Sequence, residues 1–380
     1  MIYLDNNATT PIAAEVIELM TESLARTFGN PSSAHNAGTE AKRHVAAARE
    51  SVARLLGARD TAEIVFTSGG TESDNWAVIG ALQTNPEKRH IVTTRVEHEA
   101  VRKLCEKLER DGYEVSWLEV DELGRLSIEQ LQASLRTDTA LVSVMMANNE
   151  TGVIFPVEMI AEVVKENSDA LFHVDGVNAA GKIPIDLKST AIDLFSISAH
   201  KFHGPKGIGA LYVRDGIDLP SFLIGGGQES GRRAGTEAVH QLVGIGAAAR
   251  LASGLSSMGS VRQLRDTLEE QILRAVPDTF VNGDRDARLP NTTNISFEGL
   301  NGEMLLHLLD KAGVCVSTGS ACHSDSHTTS PVLQAMNTLY SRAMGSIRFS
   351  LGRFNSGDEI DQAIEAVKAV AARSRSLQEN

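Results

Sequence analysis

The sequence has 380 residues, which is longer than most single domains, and its 42% hydrophobic and 22% charged residues are ordinary for a globular protein, so we expect two domains. Its 49 acidic and 36 basic residues give a net charge of −13, which disfavours direct binding of nucleic acid. The first residues lack the basic and apolar regions of a signal peptide, and no apolar run approaches about 18 residues, so we expect a soluble cytoplasmic protein with no membrane contact.

The three cysteines are too few for a disulfide framework in a chain of this length, and their odd number leaves room for a reactive thiol. Cys105 falls in a helical pattern and Cys315 in an apolar strand pattern, which favours structural roles for both. Cys322 lies in a polar segment rich in Gly, Ser and Thr, and is therefore the candidate for the reactive thiol.

The first predicted elements are two helices, over residues 11–24 and 39–56, and a strand over residues 64–67. The polar segment 5–10 precedes the first helix as a turn and N-cap. The strand leads through a glycine-containing turn into a helix that includes residues 76–82. Such a turn can place backbone N–H groups against a phosphate, or it can simply cap the helix, and the residues alone leave both readings open.

Three further strands are predicted over residues 90–94, 141–146 and 171–175. His98 follows the first of them, although a histidine at a strand end is more often structural than catalytic. Asp175 ends the third strand, where a carboxylate either has a role in a functional site or simply caps a turn.

The segment 198–209, with the sequence SAHKFHGPKGIG, contains the lysine on which the functional prediction depends. Predicted strands lie before it, over residues 192–197, and after it, over residues 210–213. Most lysines are solvated surface charges, but a lysine delivered by a strand into a glycine-rich turn is placed where its amine can condense with a carbonyl cofactor. Lys201 follows Asp175 with a helix and a strand between them, which predicts neighbouring parallel strands whose carboxyl ends open into one crevice.

The glycine- and arginine-rich segment 225–237 is either a flexible linker or an anion-binding loop. A helix rich in Ala and Gly follows over residues 239–255, and the composition then shifts to small residues, which suggests a second domain. Its predicted helices cover residues 261–276, 302–311 and 358–372, its predicted strands lie near 280–281, 294–297, 314–317 and 345–350, and residues 373–380 are expected to fray.

Two polar features of this second region have competing readings. Cys322 could be a nucleophile, an inert surface thiol, or part of a metal site with His323, Asp325 and His327, although that spacing matches no standard zinc pattern. Arg348 on the strand near residue 350 could be an ordinary surface residue or a planar ligand for a carboxylate.

Taken together, these segments resemble the pyridoxal-phosphate-dependent cysteine desulfurases of the NifS/IscS group, in the class-V aminotransferase-like family. The similarity runs from YLDNNATT at residues 3–10 to IRFSL at residues 347–351. It implies an α/β protein of the PLP-dependent aminotransferase-like type (fold type I), with a mostly parallel sheet in the large domain and a smaller α+β C-terminal domain. We place the large PLP-binding domain at residues 12–257 and the small domain at residues 1–11 plus 258–380, with a mobile cysteine loop at 318–330.

The resemblance also implies roles for individual residues. Lys201, Cys322 and His98 are the expected catalytic residues: the lysine binds the cofactor, the cysteine accepts sulfur and the histidine stacks on the pyridine ring. Asp175 would keep the ring nitrogen protonated. The expected ligands of pyridoxal 5'-phosphate are Gly70, Thr71, His98, Asn149, Asp175, Asn178, Ser198, His200, Lys201 and Thr236. Asn149 and Arg348 are expected to bind the substrate, and no metal is expected.

The sequence departs from the common family pattern in two places. Where many relatives have Asp-Ala-x-Gln, this chain has Gly176 and Asn178 after Asp175, so the amide that faces the cofactor's ring oxygen is one methylene shorter. After Cys322, His323 and Asp325 replace the commoner Thr/Ser-Ser-Gly continuation.

The function implied is that of a cysteine desulfurase, which converts L-cysteine to L-alanine and holds the sulfur as a persulfide on Cys322. The sulfur would pass to an acceptor protein, an iron–sulfur scaffold or another thio-acceptor. A homodimer is expected, because the family residue that matches Thr236 reaches the phosphate of the other subunit. The alternatives are an aminotransferase of the same fold and a non-catalytic scaffold for sulfur-transfer partners, with selenocysteine lyase activity as a side reaction.

Overall fold

The computed structural model describes residues 1–318 and 329–378. The described helices include none that combines the length and the apolar character needed to cross a bilayer.

Seven strands form the central sheet: β2 (Ile64–Thr67), β3 (His90–Thr94), β4 (Glu114–Leu118), β5 (Thr139–Ser143), β6 (Leu171–Asp175), β7 (Leu194–Ser198) and β8 (Gly209–Val213). Their spatial order is β2-β8-β7-β6-β5-β3-β4. Strand β8 is antiparallel to both of its neighbours, and all other pairs are parallel. The predicted mostly parallel sheet is therefore confirmed. Every strand of this sheet except β4 is nearly or fully buried, as expected when helices cover both faces.

The helices that accompany this sheet are α1 (Ala14–Arg26), α2 (Asn36–Leu56), α3 (Gly70–Thr84), α4 (Glu99–Arg110), α5 (Ile128–Ser134), α6 (Val157–Asn167) and α7 (Val239–Ser253). Helices α2 and α7 pack closely because small residues face each other at the crossing. A Cβ at Gly246 would lie 2.7 Å from the Cα of Ala48. The Ala- and Gly-rich composition of α7 therefore allows the close contact between these two helices.

A second, smaller sheet is antiparallel and consists of β9 (Thr279–Val281), β10 (Thr292–Phe297) and β12 (Ser346–Ser350), with β10 in the centre. The short strands β1 (Ile2–Tyr3) and β11 (Val314–Cys315) pair in parallel beside it. The helices of this part are α8 (Met258–Ala275), α9 (Gly302–Lys311), α10 (Pro331–Ala335), α11 (Tyr340–Ala343) and α12 (Gly357–Gln378).

Two separate clusters of buried apolar residues support the predicted division into domains, which stays a prediction. One lies against the central sheet. The other joins α8, α9, α12 and the small sheet to Ile2 and Leu4 of the N-terminus. Leu289, Leu333 and Met336, which fall in the predicted small domain by number, belong to the large cluster.

Several element boundaries differ from the prediction by a few residues, and the contacts explain two of the differences. Helix α1 begins at Ala14 rather than Pro11, because the chain before it is tied down in an extended conformation: Ala13 N donates to the carbonyl of His203 at 3.1 Å. The C-terminal region does not fray at residue 373. Helix α12 continues to Gln378, because Val370, Ala371 and Ser374 are buried.

Candidate active site

A cavity of about 270 Å³ opens at the carboxyl ends of the parallel strands. The residues that line it are Ala8, Gly70, Thr71, Asp74, His98, Met145, Ala147, Asn149, Asp175, Val177, Asn178, Ser198, His200 and Lys201. Nine of the residues predicted to bind the cofactor are in this list, and they come from five separate stretches of the chain. The fold thus brings the sequence-predicted set together, with Thr236 as the exception.

Lys201 ends a short 3-10 helix, Ala199–Lys201, that directly follows β7. Its Nζ donates to two carbonyl oxygens of the N-terminal segment, that of Asn7 at 2.5 Å and that of Ala8 at 3.1 Å. Strands β6 and β7 are parallel neighbours, with Asp175 paired to Ser196 in the register. The prediction that Asp175 and Lys201 follow neighbouring parallel strands is therefore confirmed. The helix predicted between them is wrong, because that stretch forms turns and only the short 3-10 helix Leu187–Ser189.

Asp175 is a buried carboxyl at the floor of the cavity, with 5% of its surface exposed. Its Oδ1 accepts a hydrogen bond from Val177 N at 2.9 Å. Burial raises the pKa of Asp175, while the charges of His98 and Lys201 act in the opposite direction. A cationic ring N–H at this position would satisfy the carboxylate and reduce the cost of its charge.

Asp74 is a second carboxyl at this cavity, and the sequence analysis did not identify it. It lies on α3 and is 1% exposed, and its Oδ1 has no hydrogen-bond partner among the described residues. Burial, followed by the charge of Asp175, raises the pKa of Asp74 well above its ordinary value. His173, fully buried beside it, is held neutral because burial lowers its pKa to about 3. Asp175 is therefore the carboxyl of this pair that is better placed to carry the charge.

The N-terminus of α3 forms one end of the cavity through Gly70 and Thr71. A Cβ on Gly70 would lie 2.7 Å from Cγ2 of Val177, so only glycine lets the helix start approach the other wall so closely. Unpaired N–H groups and the positive end of the helix dipole favour an anion here. A phosphate fits this end of the cavity.

His98 and His200 both line the cavity. His98 is the N-cap of α4, and its Nδ1 accepts a hydrogen bond from Ala100 N at 3.1 Å. Reduced hydration lowers the pKa of His98, although Asp175 opposes the shift. Burial, with the charges of Lys201 and other lysines, lowers the pKa of His200 to about 4. His203, two residues after Lys201, contacts the carbonyl of Pro11 and the ring of Phe354 instead.

Arg348 lies behind the cavity wall and is 5% exposed. Its Nη1 donates to the carbonyl of Asn149 at 3.1 Å, and its Nη2 donates to Asp5 Oδ1 at 2.5 Å. Its Nε is buried and has no hydrogen-bond partner among the described residues. The guanidinium therefore adjoins the cavity through Asn149 and retains an unused donor.

Asn178 is held from two sides. Its Oδ1 accepts a hydrogen bond from the buried Lys182 at 2.8 Å, and its Nδ2 donates to the carbonyl of Asn148 at 3.2 Å. Lys182 was missed by the sequence analysis. Lys182 lies four residues after Asn178, in a stretch that forms turns, and no sequence motif marks it.

Thr236 lines a different cavity, together with Phe66, Ser68 and Gly207, and its side chain is exposed in the single chain. The structure of one chain does not bring it to the Lys201 cavity.

Cys322, His323, Asp325 and His327 lie outside the described residues. The described ends of that segment are both anchored beside the cavity. Ser317 pairs with Arg348 through two backbone hydrogen bonds, and Ser330 Oγ donates to the buried Glu150 at 2.5 Å. Of the other two cysteines, Cys105 is fully buried, and burial raises its pKa to about 12. Cys315 lies in β11, and burial also raises its pKa.

The donor set fits pyridoxal phosphate. The amine would meet the aldehyde of the cofactor, and the buried carboxylate would meet its ring nitrogen. The histidine ring would lie against the face of the cofactor ring, and the glycine-lined helix start would bind the phosphate.

Comparisons with known proteins agree with this chemistry. The Aminotransferase class-V family model matches residues 2–363. A cysteine desulfurase of Trichormus azollae is 52% identical over 379 residues, which cover 99% of this chain and 94% of that protein. The cysteine desulfurase NifS of Azotobacter vinelandii is 47% identical over 378 residues, with 99% of this chain and 94% of that protein covered.

Solved structures agree with the sequence matches. A NifS-like protein superposes with a TM-score of 0.92 at 38% identity, and the match covers 98% of this chain and 99% of that one. SspA in complex with cysteine superposes with a TM-score of 0.83 at 35% identity, over 94% of this chain and all of that one.

Proposed function

The chain belongs to the class-V aminotransferase family and, within it, to the cysteine desulfurases, and on that premise we propose how its own residues divide the reaction. A cysteine desulfurase removes the sulfur of L-cysteine and leaves L-alanine, and this is the activity of the chain. The family depends on pyridoxal phosphate. That this chain binds the cofactor through the residues named above is our proposal, and the observation that supports it best is the convergence of nine predicted ligands on the Lys201 cavity.

Bound in this cavity, pyridoxal phosphate supplies an electron-withdrawing ring next to the substrate's Cα. The amine of Lys201 holds the cofactor and moves the proton at Cα. Asp175 retains a negative charge toward the ring nitrogen, and His98 packs against the ring. Gly70 and Thr71 bind the phosphate at the start of α3.

Arg348 and Asn149 orient the cysteine substrate. The buried Nε of Arg348 is an unused donor, and its Nη2 is bound to Asp5, which a substrate carboxylate can replace or join. A planar guanidinium suits a carboxylate because it offers two parallel N–H groups. We infer from this arrangement that the substrate's α-carboxylate lies on the side of the cavity where β12 carries Arg348.

Cys322 accepts the sulfur. Its thiol first loses a proton, and the thiolate attacks the sulfur of the substrate. A sulfur–sulfur bond forms and the substrate's Cβ–S bond breaks, with its electron pair left on the carbon side. That carbon takes up a proton and becomes the methyl group of alanine, while Cys322 is left as a persulfide. The described ends of its segment, beside Arg348 and Glu150, support this role, as do the raised pKa values of Cys105 and Cys315.

Two further parts of the proposal concern partners. The persulfide passes its sulfur to an acceptor protein, an iron–sulfur scaffold or another thio-acceptor. The active protein is a homodimer in which Thr236 of one subunit binds the phosphate held by the other. The position of Thr236, exposed and away from the Lys201 cavity of its own chain, supports this arrangement.

The proposal is tested with three single variants, Cys322→Ala, Lys201→Ala and the control Cys315→Ala. We expect Cys322→Ala to retain the yellow absorbance of bound cofactor but to lose sulfide and alanine production by at least about 100-fold, because the acceptor of sulfur is gone. We expect Lys201→Ala to lose the absorbance of the covalently bound cofactor, and Cys315→Ala to behave like the parent. Normal desulfuration by Cys322→Ala would contradict the persulfide step, and formation of a keto acid instead of alanine would indicate an aminotransferase.

A further inference from the structure

Lys182 is a buried amine with no carboxylate partner among the described residues. Only 6% of its surface is exposed, and its Nζ donates to two neutral amide oxygens, those of Asn178 at 2.8 Å and Asn7 at 3.1 Å. Burying an amine in this way is costly, so its two contacts need a reason beyond packing. Both acceptors belong to residues that surround Lys201.

The first contact fixes the orientation of an amide at the cavity. In this hydrogen bond an N–H group of Lys182 points at the oxygen of Asn178, so the NH₂ group of the amide faces the other way. One of the two amide hydrogens points to the carbonyl of Asn148. Because Asn178 lines the cavity, the second hydrogen is available to a ligand there. Lys182 and the carbonyl of Asn148 therefore favour the same orientation of the amide from its two ends.

The second contact fixes the segment that holds the catalytic amine. The side chain of Asn7 has all its hydrogen-bonding capacity in use: Oδ1 accepts from Lys182 and Asn291, and Nδ2 donates to Thr292 and to the carbonyl of Asn149. The backbone carbonyl of the same Asn7 accepts from Lys201. Lys182 therefore lies at the junction of the N-terminal segment, the small sheet and the cavity.

The electrostatic surroundings agree with a donor role. The charged and titratable groups around Lys182 are Lys201, Arg348, His200 and His203, and Arg348 is itself paired with Asp5. Burial, followed by the charges of Lys201 and Arg348, lowers the pKa of Lys182 well below its usual value. A neutral amine has two N–H groups, which match its two amide acceptors.

We propose that Lys182 is a positioning residue of the cofactor site: it turns the Asn178 amide so that an N–H group faces the cavity and is available to an anionic ring oxygen of the ligand. This inference rests on the proposed function in that pyridoxal phosphate, which carries such an oxygen, is taken as the ligand. It also explains how Asn178, which is one methylene shorter than the Gln of many relatives, can act in this site. Its amide is held in one orientation, which compensates for the shorter side chain.

The test is a double-mutant cycle on the affinity of the full-length protein for pyridoxal phosphate. The variants are Lys182→Met, Asn178→Ala, the two combined, and Lys188→Met as a control on an exposed lysine. We expect Lys182→Met and Asn178→Ala each to weaken binding about tenfold, the typical effect of losing a hydrogen bond to a charged group. The double variant should be no weaker than Asn178→Ala alone, and Lys188→Met should match the parent. The proposal would be overturned if the double variant lost affinity by the product of the two single losses, because the residues would then act independently. Unchanged affinity in Lys182→Met would overturn it as well.

A second variant separates orientation from folding. Asn178→Asp keeps an oxygen that accepts the hydrogen bond from Lys182, so we expect Tm to be retained. It offers only oxygens to the cavity, however, so we expect affinity for pyridoxal phosphate to fall by about tenfold or more. Parent-like affinity in Asn178→Asp would overturn the proposal even if Lys182→Met failed to fold. If the parent itself bound no pyridoxal phosphate, the proposed function would fail instead.

Discussion

Glu150 shows how a single buried carboxyl can make stability depend on pH. It is 6% exposed, and burial raises its pKa to about 7, although Ser330 and the charges of Arg348 and Arg102 oppose the shift. The folded state thus holds this proton more tightly than the unfolded state. The resulting stabilisation is complete below pH 4.5, the unfolded value, and is lost as the pH rises through about 7.

We therefore expect Glu150→Gln, which cannot titrate but keeps an oxygen for Ser330, to gain stability over the parent as the pH rises from 5 to 8. The gain has an upper limit of about 3 kcal/mol for a fully buried group. Thermal unfolding at both pH values measures it as a change in the Tm difference. The control is Glu162→Gln, on the exposed face of α6. An equal Tm difference at both pH values would show that Glu150 does not titrate in this range.

Most individual site residues could be predicted from the sequence because each follows a strand or a glycine-rich turn within a few positions. Asp175 and Lys201 are examples, since strand periodicity alone places them at one edge of the sheet. Asp74 could not be found in this way. It lies in a helix as an ordinary polar residue, and only the packing of α3 against the sheet buries it beside Asp175.

At the scale of elements, the contact between β6 and β7 explains one departure from the family pattern. Gly176 follows β6 where many relatives carry Ala. A Cβ there would lie 2.0 Å from two ring carbons of Phe195 on β7, which is fully buried. The glycine and the large aromatic ring therefore belong together as one packing solution.

We expect Gly176→Ala to destabilise the protein by about 1–3 kcal/mol, the usual cost of overpacking a core. Adding Phe195→Leu should restore part of this stability, because the smaller side chain makes room. Gly254→Ala is the matched control, since that glycine has a negative φ of −79° and no atoms within 4 Å of an added Cβ. Denaturant unfolding is measured for the parent, Gly176→Ala, Phe195→Leu, the double variant and Gly254→Ala. A double variant less stable than Gly176→Ala by the full cost of Phe195→Leu would show that the two positions are independent.

At the scale of the whole molecule, the proposed dimer shares its sites between subunits. The loop that carries Thr236 is held by Glu229, which accepts two hydrogen bonds from Arg49 at 2.7 Å and one from Phe66 N at 2.9 Å. This anchoring fixes the loop on the surface of its own chain, away from its own Lys201 cavity. In the proposed arrangement, the phosphate that Thr236 binds therefore lies in the Lys201 cavity of a second copy of the chain.

Mixed dimers test this arrangement. One subunit carries Lys201→Ala and the other Thr236→Ala, and two affinity tags isolate the hybrid. If Thr236 acts across the interface, one site of the hybrid has both residues intact, so we expect about half of the parent activity. The activity is measured at a pyridoxal phosphate concentration too low to saturate a Thr236→Ala site. The homodimer of each variant is the control. Hybrid activity no higher than half that of the Thr236→Ala homodimer would place Thr236 in the site of its own chain.

The sequence by itself determined most of the strands and helices and the parallel core of the large sheet, because apolar runs, strand ends and glycine-rich turns are local patterns. It did not mark β4, α5 or α6. Nine of the fourteen residues that line the cavity were named through the resemblance to the NifS/IscS group. Only the tertiary structure decided which way Asn178 faces, where Thr236 lies and why Lys182 is buried. These depend on contacts such as that between Lys182 and Asn7, which are 175 positions apart, and no spacing in the sequence encodes a hydrogen bond over that separation.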